Sequence, residues 1–586
     1  MGEVCDPRAI RGDALAALAL AVLLAAIGSL RGWPMLNQLH LPDTDDVVRL
    51  QQIRDWLGGQ PFSDLSQHRL GAAPGLAMHW SRLPDLVPGA IIWALTPVVG
   101  RHAAELTAVI LWPTLLFAAL LWVVASITRV VGQPANARTA IIIAAIGFPV
   151  TTLFLPGRID HHGLQIVLIL AIVRALLARA RLASGATIGV ATAASIVIGM
   201  ETAPFLLIAA SILWVRWARH EHFGGDALGG LGAAMLVALL AARAMFAPAG
   251  FAVPACDGFT ERVFGACIIG ASAALVLGLA SDRLPGIRHR LGASVAAGAA
   301  IALMLTSTLS SCAAPYGAVD PLVARLWLGH VGEAQPLLSA PFVDALGYCG
   351  LMVAGLAAGT ALMLHNRRAP WHIPIAFQLG ALALTFMQLR GAYLGAVLAA
   401  PALATLIGAA RTRGAVPLAG AWLGSAGMLY PIAAQAISTP APAHNTTADV
   451  LACTDPAIIN RLRALAPGTL MAPMDVGAYA LGGTAHRVVA APYHRNNAGN
   501  AAMYRFFLGN EPEAHAIAQR WHVDYVLLCA DSFSELPASD QPAVRSVAGR
   551  LRAGQAPSWL APVGQSDGGA LLYRLKRDLS ALASAH

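Results

Sequence analysis

The chain is predicted to be a polytopic α-helical membrane protein, with about thirteen transmembrane helices and a C-terminal extracytoplasmic α/β domain. Three observations predict this. Of its 586 residues 57% are hydrophobic and only 12% charged, with a mean hydropathy of +0.62, about half the charge of a soluble protein. Several apolar runs reach the roughly 17–25 residues needed to cross hydrocarbon. Only helices or closed barrels satisfy the backbone there, and no period-two alternation favours a barrel. Past residue 438 the runs give way to short segments punctuated by Pro and Gly.

The first span covers about residues 14–30, behind Arg8 and Arg11. No small-residue cleavage site follows, so it reads as a signal anchor that stays in the membrane. Leu86–Val99 is too short to cross comfortably and contains Pro88, Gly89 and Pro97; it is expected to lie at the interface or re-enter. The remaining spans are expected at about 104–127, 139–155, 163–178, 184–200, 203–216, 226–246, 264–281, 291–309, 345–365, 372–389, 392–409 and 415–437. This count places Arg129, Arg138, Arg174, Arg179, Arg181, Arg216, Arg219, Arg283, Arg288, Arg290, Arg367, Arg368, Arg411 and Arg413 on the side of Arg8 and Arg11, which the positive-inside rule makes the cytoplasm. Counting Leu86–Val99 as a span would move Arg129 and Arg138 outside. A bacterial inner (plasma) membrane protein is expected, with a cytoplasmic N-terminus and a periplasmic C-terminal domain. Residues 1–437 form the membrane domain, with large external loops at 31–103 and 310–344, and 438–586 the soluble one.

The net charge of +8 is carried by arginine, Lys576 being the only lysine. No basic stripe with interleaved aromatics argues for nucleic acid. The seven cysteines show no metal-ligand spacing. Cys267 and Cys349 fall in or beside apolar spans and read as packing residues. Cys256 with Cys312, and Cys453 with Cys529, can pair if their segments are extracytoplasmic. In the C-terminal region a Pro/Thr/Ala linker (438–450) precedes a helix in "PAIINRLRALA", strands in "GTLMAP" and "HRVVAAP", a helix in "EPEAHAIAQRW", a buried strand in "VDYVLLCA" and a closing strand in "GALLYRL".

The acids sit at the ends of the apolar runs, all on the external side. Asp43, Asp45 and Asp46 lie within four positions, ahead of Arg49 and Arg54. Such close carboxylates repel unless a cation sits between them, and hard divalent ions take oxygen ligands. The same residues also suit a helix N-terminus, with Val47–Leu57 continuing as an amphipathic helix. In "PGRIDHHGLQ", Asp160 and His162 can ligate a divalent ion and Arg158 can meet a phosphate, although a polar turn with His161 and His162 at the headgroups fits equally. Glu333 is the only acid of "HVGEAQPLLSAPF", Arg390 stands at the outer mouth of the eleventh span, and Glu201 is a boundary acid without an assigned role. In "MHWSRLPDLVPG", Trp80 reads as an interface anchor beside His79, Arg82 and Asp85.

Taken in order, these residues resemble the catalytic subunit of oligosaccharyltransferase, in the GT-C class of membrane glycosyltransferases. An Asp after the first span is followed six residues later by Arg (Asp43, Arg49). A Gly-x-x-Asp-x-Glu-Gly turn follows the third span, here Gly157–Gly163 with His162 in place of Glu. A Ser-x-Ser-Glu-His-Gln-Pro-like loop follows the ninth span, here "VGEAQP" with Glu333, and Arg390 ends the eleventh. The resemblance implies a GT-C-like membrane domain in which Asp43, Asp160 and His162 hold Mg²⁺ or Mn²⁺. It also implies that Glu333 tethers the external loop and that Arg390, with Arg158, faces the donor phosphates. Asp43 or Asp45 would orient or deprotonate the acceptor, and Asp46, His79 and Asp475 lie on the acceptor side. The family's peptide-reading Trp-Trp-Asp-Tyr-Gly is reduced to "PMDVG", Pro473–Gly477, keeping Asp475 and Gly477 without either tryptophan.

The expected function is transfer of a sugar or glycan from a polyprenyl-linked donor, within membrane lipid, to an extracytoplasmic protein, lipid or polysaccharide acceptor. The missing tryptophans favour a polyprenyl-monophosphate donor and a lipid or polysaccharide acceptor over a protein sequon. A transporter or flippase is the alternative from another class. Transporters place ionisable groups near the bilayer midplane, where these spans are nearly bare of charge apart from Arg243.

Overall fold

Each expected span has a helical counterpart in the computed structural model, which describes residues 7–253, 255–312, 319–367, 369–438, 453–564 and 569–576. Residues 439–450 of the expected linker lie outside the described residues. The helices are α1 (Pro7–Leu36) and α2 (Thr44–Leu57), then, after a hairpin of β1 (Ser66–Gln67) and β2 (Leu76–Ala77), α3 (Leu86–Val99), α4 (Arg101–Val131), α5 (Ala137–Ala145), α6 (His162–Leu176), α7 (Leu182–Ile198), α8 (Ala203–Ala218), α9 (Gly224–Phe246), α10 (Glu261–Leu279), α11 (Ile287–Ser311), α12 (Pro321–Leu326), α13 (Phe342–His365), α14 (His372–Thr385), α15 (Ala392–Ala410), α16 (Ala415–Ser425) and α17 (Leu429–Ile437).

Among the described residues, seven helices are long and apolar enough to cross a membrane, or eight if α16 and α17, bent by 86°, count as one. Helices α6, α7, α8 and α14 are shorter apolar helices, and the expected span at 139–155 is broken. There α5 stops at Ala145, and a cis Phe148–Pro149 bond leads into a 3₁₀ turn, Val150–Phe154. Proline at this point cannot continue the ladder of an α-helix. Leu86–Val99 is a helix folded back on α4 across Gly100, whose φ of +79° is the left-handed turn that favours glycine. Its Gly89 faces the Trp56 ring, where a Cβ would come within 2.6 Å.

The two ends of the bundle differ in charge. At one end Asp13, buried in α1, pairs with Arg129 of α4 at 2.6 Å; Arg411 donates to Thr139 Oγ1 at 2.9 Å and Arg216 to the Leu176 carbonyl at 2.7 Å. Arg129, Arg216 and Arg411, three of the arginines read as topology signals, are thus held at this end. The acidic turns gather at the other. Between them, α7 and α9 pack backbone to backbone through Gly185, Gly189 and Gly230: a Cβ at Gly185 would run into the Ala227 carbonyl.

The C-terminal unit adds α18 (Pro456–Arg463), β3 (Thr469–Met471), α19 (Met474–Gly483), β4 (Arg487–Val488), α20 (Asn497–Leu508), α21 (Glu511–Arg520), β5 (Tyr525–Cys529), α22 (Val547–Arg552), β6 (Leu560–Pro562) and β7 (Ala570–Leu575). Its five-stranded sheet has the order β4-β3-β5-β7-β6, parallel at β4-β3-β5 and antiparallel at β7. Both disulfides that the sequence allows are present, Cys256–Cys312 and Cys453–Cys529, with Cα atoms 5.6 and 5.7 Å apart. Cys267 is half-buried and Cys349 buried, both as free thiols.

The first external loop joins the two units. Leu70 forms a parallel bridge to Val488 at the sheet edge. Arg69 crowns the C-terminal end of α19, donating to the carbonyls of Leu481, Thr484 and His486 at 2.7–3.2 Å; a cation there satisfies orphan carbonyls. Arg54 donates to Gly482 O at 2.9 Å. From the other long loop, α12 buries Leu326 in the core of the α/β unit, where Tyr504 donates to its carbonyl at 3.2 Å.

Two stability outcomes follow. Asp13→Ala leaves Arg129 facing a buried site without its carboxylate; it is expected to cost about 3–5 kcal/mol, with Asp13→Ala/Arg129→Leu recovering part, read as melting temperatures in detergent. Gly185→Val forces α7 from α9 and is expected to cost about 1–3 kcal/mol, whereas Gly265→Val in α10, where a Cβ meets nothing within 4 Å, should leave melting nearly unchanged.

Candidate active site

The acidic end is organised by the turn between the 3₁₀ segment and α6. Gly157, at φ +95°, lets the turn press on Pro42, where a Cβ would come within 2.7 Å of the ring. The fully buried Asp46 of α2 then accepts from the amides of Ile159 and Asp160 through one oxygen, at 2.7 and 2.8 Å. Arg158 closes over the N-terminus of α2, with Nε 3.3 Å from Asp46 and Nη1 2.6 Å from Asp43. Asp43 is the N-cap of α2 and accepts from the Asp45 amide at 3.0 Å. Asp43 thus caps the helix, as the helix-terminus reading expects, and Asp45 faces the cleft described below.

Arg49, one turn along α2 and fully buried, reaches Asp85 at 2.8 Å and Asp160 Oδ1 at 3.4 Å. Its guanidinium lies 4.5 Å from the Trp80 ring centroid, a cation–π contact. Trp80 is therefore not an interface anchor: it is 1% exposed, donates to Gln52 and packs edge-on against Tyr493. The indole is buried because it roofs a buried cation.

Asp160, His161 and His162 present ligand atoms that all lie within 4.8 Å of one another. His161 Nδ1 is 2.6 Å from Asp160 Oδ1, and its Nε2 is 3.4 Å from Glu201; Gln165 holds the other Glu201 oxygen at 3.1 Å. Burial opposes charge on His161, yet Asp160 and Glu201 push the imidazole up to about 10. Burial likewise opposes charge on Asp160, but His161, His162 and Arg49 hold its carboxyl well below the usual range. His161 thus sits as a cation between two carboxylates. Neither His161 nor His162 projects to a headgroup layer: His161 is buried and His162 half-buried.

Glu333 reaches the same place from the long loop. The Leu389 amide donates to Gln335 O at 2.9 Å and the Leu337 amide to Thr385 O at 3.2 Å, stitching the loop to the end of α14. Tyr393 donates to Glu333 Oε2 at 2.8 Å, and Arg390 is steadied by Gln388 at 2.7 Å.

A cleft of about 440 Å³ opens between these elements. Asp45, His79, His161, His162, Glu201, Glu333, Arg390 and Tyr493 line its polar part, and Leu153, Ile166, Phe205, Leu384 and Met387 an apolar wall. Burial, then the charges of Asp160 and Asp43, push the Asp45 carboxyl well above its usual range. Burial lowers His79 to about 3, so its imidazole is neutral. Five sequence candidates, Asp45, His79, His162, Glu333 and Arg390, are brought together, with Asp160 behind His162. Asp43, Asp46 and Arg158 form a supporting group beneath: Asp46 is sealed by the turn amides, and Arg158 is committed to Asp43 and Asp46, so neither reaches the cleft. Asp475 is exposed in the first turn of α19 and does not line it.

Sequence reasoning missed Glu201, His161 and Tyr393 as site residues, and the clamp of Asp257 by His494 and Arg495, each at 2.6 Å. Only Glu201 carried a signal, as an acid at the end of an apolar run. The fit to a cation rests on Asp160: its Oδ2 is buried, has no hydrogen-bond partner and stands 3.5 Å from His162 Nε2. A divalent ion would satisfy that oxygen.

No family model matches the chain, and no curated protein matches it in sequence. Three solved structures of the Archaeoglobus fulgidus oligosaccharyltransferase are similar in structure. The AglB complex with an inhibitory peptide and a dolichol-phosphate has a TM-score of 0.63 at 14% identity, over 96% of this chain and 74% of that one. The form tethered by a disulfide to an acceptor peptide containing the NVT sequon gives 0.65 at 13%, over 96% and 74%. The complex with Zn and sulfate gives 0.59 at 13%, over 95% and 73%. From its first helix to its C-terminal sheet, this chain has the fold of an archaeal oligosaccharyltransferase.

Proposed function

We propose that the chain is a membrane glycosyltransferase that moves a sugar or glycan from a polyprenyl-phosphate or -diphosphate donor to an acceptor on the extracytoplasmic face of the plasma membrane. The observation that carries this reading is the cleft itself: carboxylates, imidazoles and an arginine converge on one side of an apolar wall. A transporter would need such groups within the bundle.

In this reading the apolar wall takes the first isoprene units and Arg390 meets the donor phosphate, a charge-assisted contact that strengthens as the leaving oxygen gains charge. Asp160 and His162 hold a divalent cation, which when bound supplies charge stabilisation to the same oxygens. Asp45 orients the acceptor, or takes its proton, a task for which a carboxyl of raised affinity suits. Glu333, fixed by Tyr393, keeps the long loop over the cleft, and His79 faces the acceptor. Asp43 and Arg158 act at one remove by fixing α2 and the Asp160 turn. A monophosphate donor and a lipid or polysaccharide acceptor are the narrower reading. They are favoured because Pro473 and Met474 stand where a peptide-reading pair of tryptophans would, and Met474 is buried in the α/β core.

Membranes bearing Asp45→Asn or Glu333→Gln are expected to transfer at least about 100-fold more slowly than wild type at equal expression, using labelled polyprenyl-monophosphate and -diphosphate sugars. Wild-type turnover in both variants removes the site assignment, and the donor that is consumed decides between the two readings. Arg390→Lys, which loses the planar fork, is expected to raise the donor KM with a smaller change in kcat; a pure kcat effect would place Arg390 elsewhere.

A further inference from the structure

The arginines at the end away from the cleft do two different things. Arg129, Arg216 and Arg411 are drawn onto partners within the bundle: Asp13, the Leu176 carbonyl and Thr139. Arg174, Arg179 and Arg181 instead line one groove of about 600 Å³ between α4, α6 and α7. Its walls add the hydroxyls of Ser126, Ser184 and Thr187, and the described residues that line it include no carboxylate. A positive-inside signal needs only charge on the proper side. It does not need three guanidiniums to border a single cavity.

Local bonds fix the shape of the groove. Arg174, in the last turn of α6, donates from Nε to Ser126 Oγ of α4 at 2.6 Å. The Arg181 amide donates to Ser184 Oγ at 3.0 Å, which sets the turn from α6 into α7. Close packing on α9 through Gly185 and Gly189 holds α7 in place. Apolar surface continues from the cations. Trp122 forms part of the groove, and Leu115 and Leu111 are exposed farther along the same face of α4. From Trp122 to Leu111 the helix rises about 16 Å, roughly half the hydrocarbon thickness. A soluble anion would use the cations and leave this track bare. An apolar helix would cover the track and strand the guanidiniums.

We infer that the groove binds an anionic phospholipid of the leaflet opposite the cleft, the cytoplasmic leaflet in the sequence reading. Its phosphate meets Arg174, Arg179 and Arg181, and an acyl chain runs along Trp122, Leu115 and Leu111. The planar fork of arginine suits phosphate oxygens, and basic pockets between helices on that side take acidic headgroups. A volume of about 600 Å³ lies within the roughly 300–1,000 Å³ of small-molecule sites. The inference concerns the other end of the bundle and stands independently of the transferase reading.

The test delipidates the full-length protein in neutral detergent and offers phosphatidylglycerol and phosphatidylcholine of matched chains in equal amounts. Native mass spectrometry counts the lipid retained. One tightly held phosphatidylglycerol per chain is expected, favoured over phosphatidylcholine about tenfold or more. Arg179→Gln/Arg181→Gln changes two exposed side chains. Ala183→Trp, also at an exposed position, fills the groove without changing its charge. Each is expected to weaken retention about tenfold or more while eluting as wild type on gel filtration. Arg283→Gln/Arg288→Gln removes the same charge from exposed positions outside the groove and should retain lipid as wild type does. Inorganic phosphate and pyrophosphate at millimolar concentration should not displace the lipid. Equal retention of both lipids, wild-type retention in both groove variants, or an equal loss in the control overturns the inference. Displacement by pyrophosphate also overturns it, leaving a site for soluble anions.

Discussion

One buried carboxylate ties the acidic end together. Asp46 has no exposed surface, and through a single oxygen it holds the amides of Ile159 and Asp160. Those two donors would otherwise be orphaned at the end of a broken helix, at a cost of about 1–3 kcal/mol each. The bond fixes the direction in which Asp160 leaves the backbone, and it fixes α2 against the bundle. Arg49, three residues along the same helix, then meets Asp160 and Asp85 from the side that Asp46 has set. Were α2 to rotate, both contacts would be lost together.

This arrangement buries several charges in a small volume, which is stable only because each is answered. Arg49 has Asp85 and Asp160, Arg82 has Asp85, Arg158 has Asp43 and Asp46, and His161 has Asp160 and Glu201. Paired buried ions contribute little net stability but are costly to break. Their value here is placement. Because the supporting pairs hold one another, Asp45, His162 and Glu333 are left to face the cleft with few competing bonds, as a preorganised site requires.

Much of this was legible in the sequence, for identifiable reasons. Hydrophobic run length and arginine alternation located the helical segments, and period and turn residues located β3, β4, β5, β7, α18 and α21. The parity of charged residues at run ends placed Asp45, Asp160, Glu333 and Arg390 at one end. What the sequence did not show depends on distance in space. Asp43, Asp45 and Asp46 look interchangeable in a row, but successive residues entering a helix point in different directions; one caps, one faces the cleft and one is buried in the turn. Trp80 looked like a boundary aromatic because Arg49, thirty-one positions earlier, is invisible as its partner. Tyr393 sits inside an apolar run and gives no sign of its bond to Glu333.

The α/β unit completes the site rather than hanging beside it. Tyr493 lines the cleft and packs against Trp80, and His494 and Arg495 grip Asp257 of the loop closed by the Cys256–Cys312 bridge. The long loop is held at both ends, by α12 in the α/β core and by backbone bonds to the end of α14 near Glu333. Only the segment between the anchors, which carries Glu333, can move without undoing one of them. Arg390 and Tyr393 belong to the bundle, whereas Glu333 belongs to the tethered loop. The Glu333–Tyr393 bond, rather than either anchor, is the contact whose making and breaking would open the cleft. A single hydrogen bond to a carboxylate, of about 1.5–3 kcal/mol, is of a size that substrate binding can offset, while the two anchors keep the loop in register.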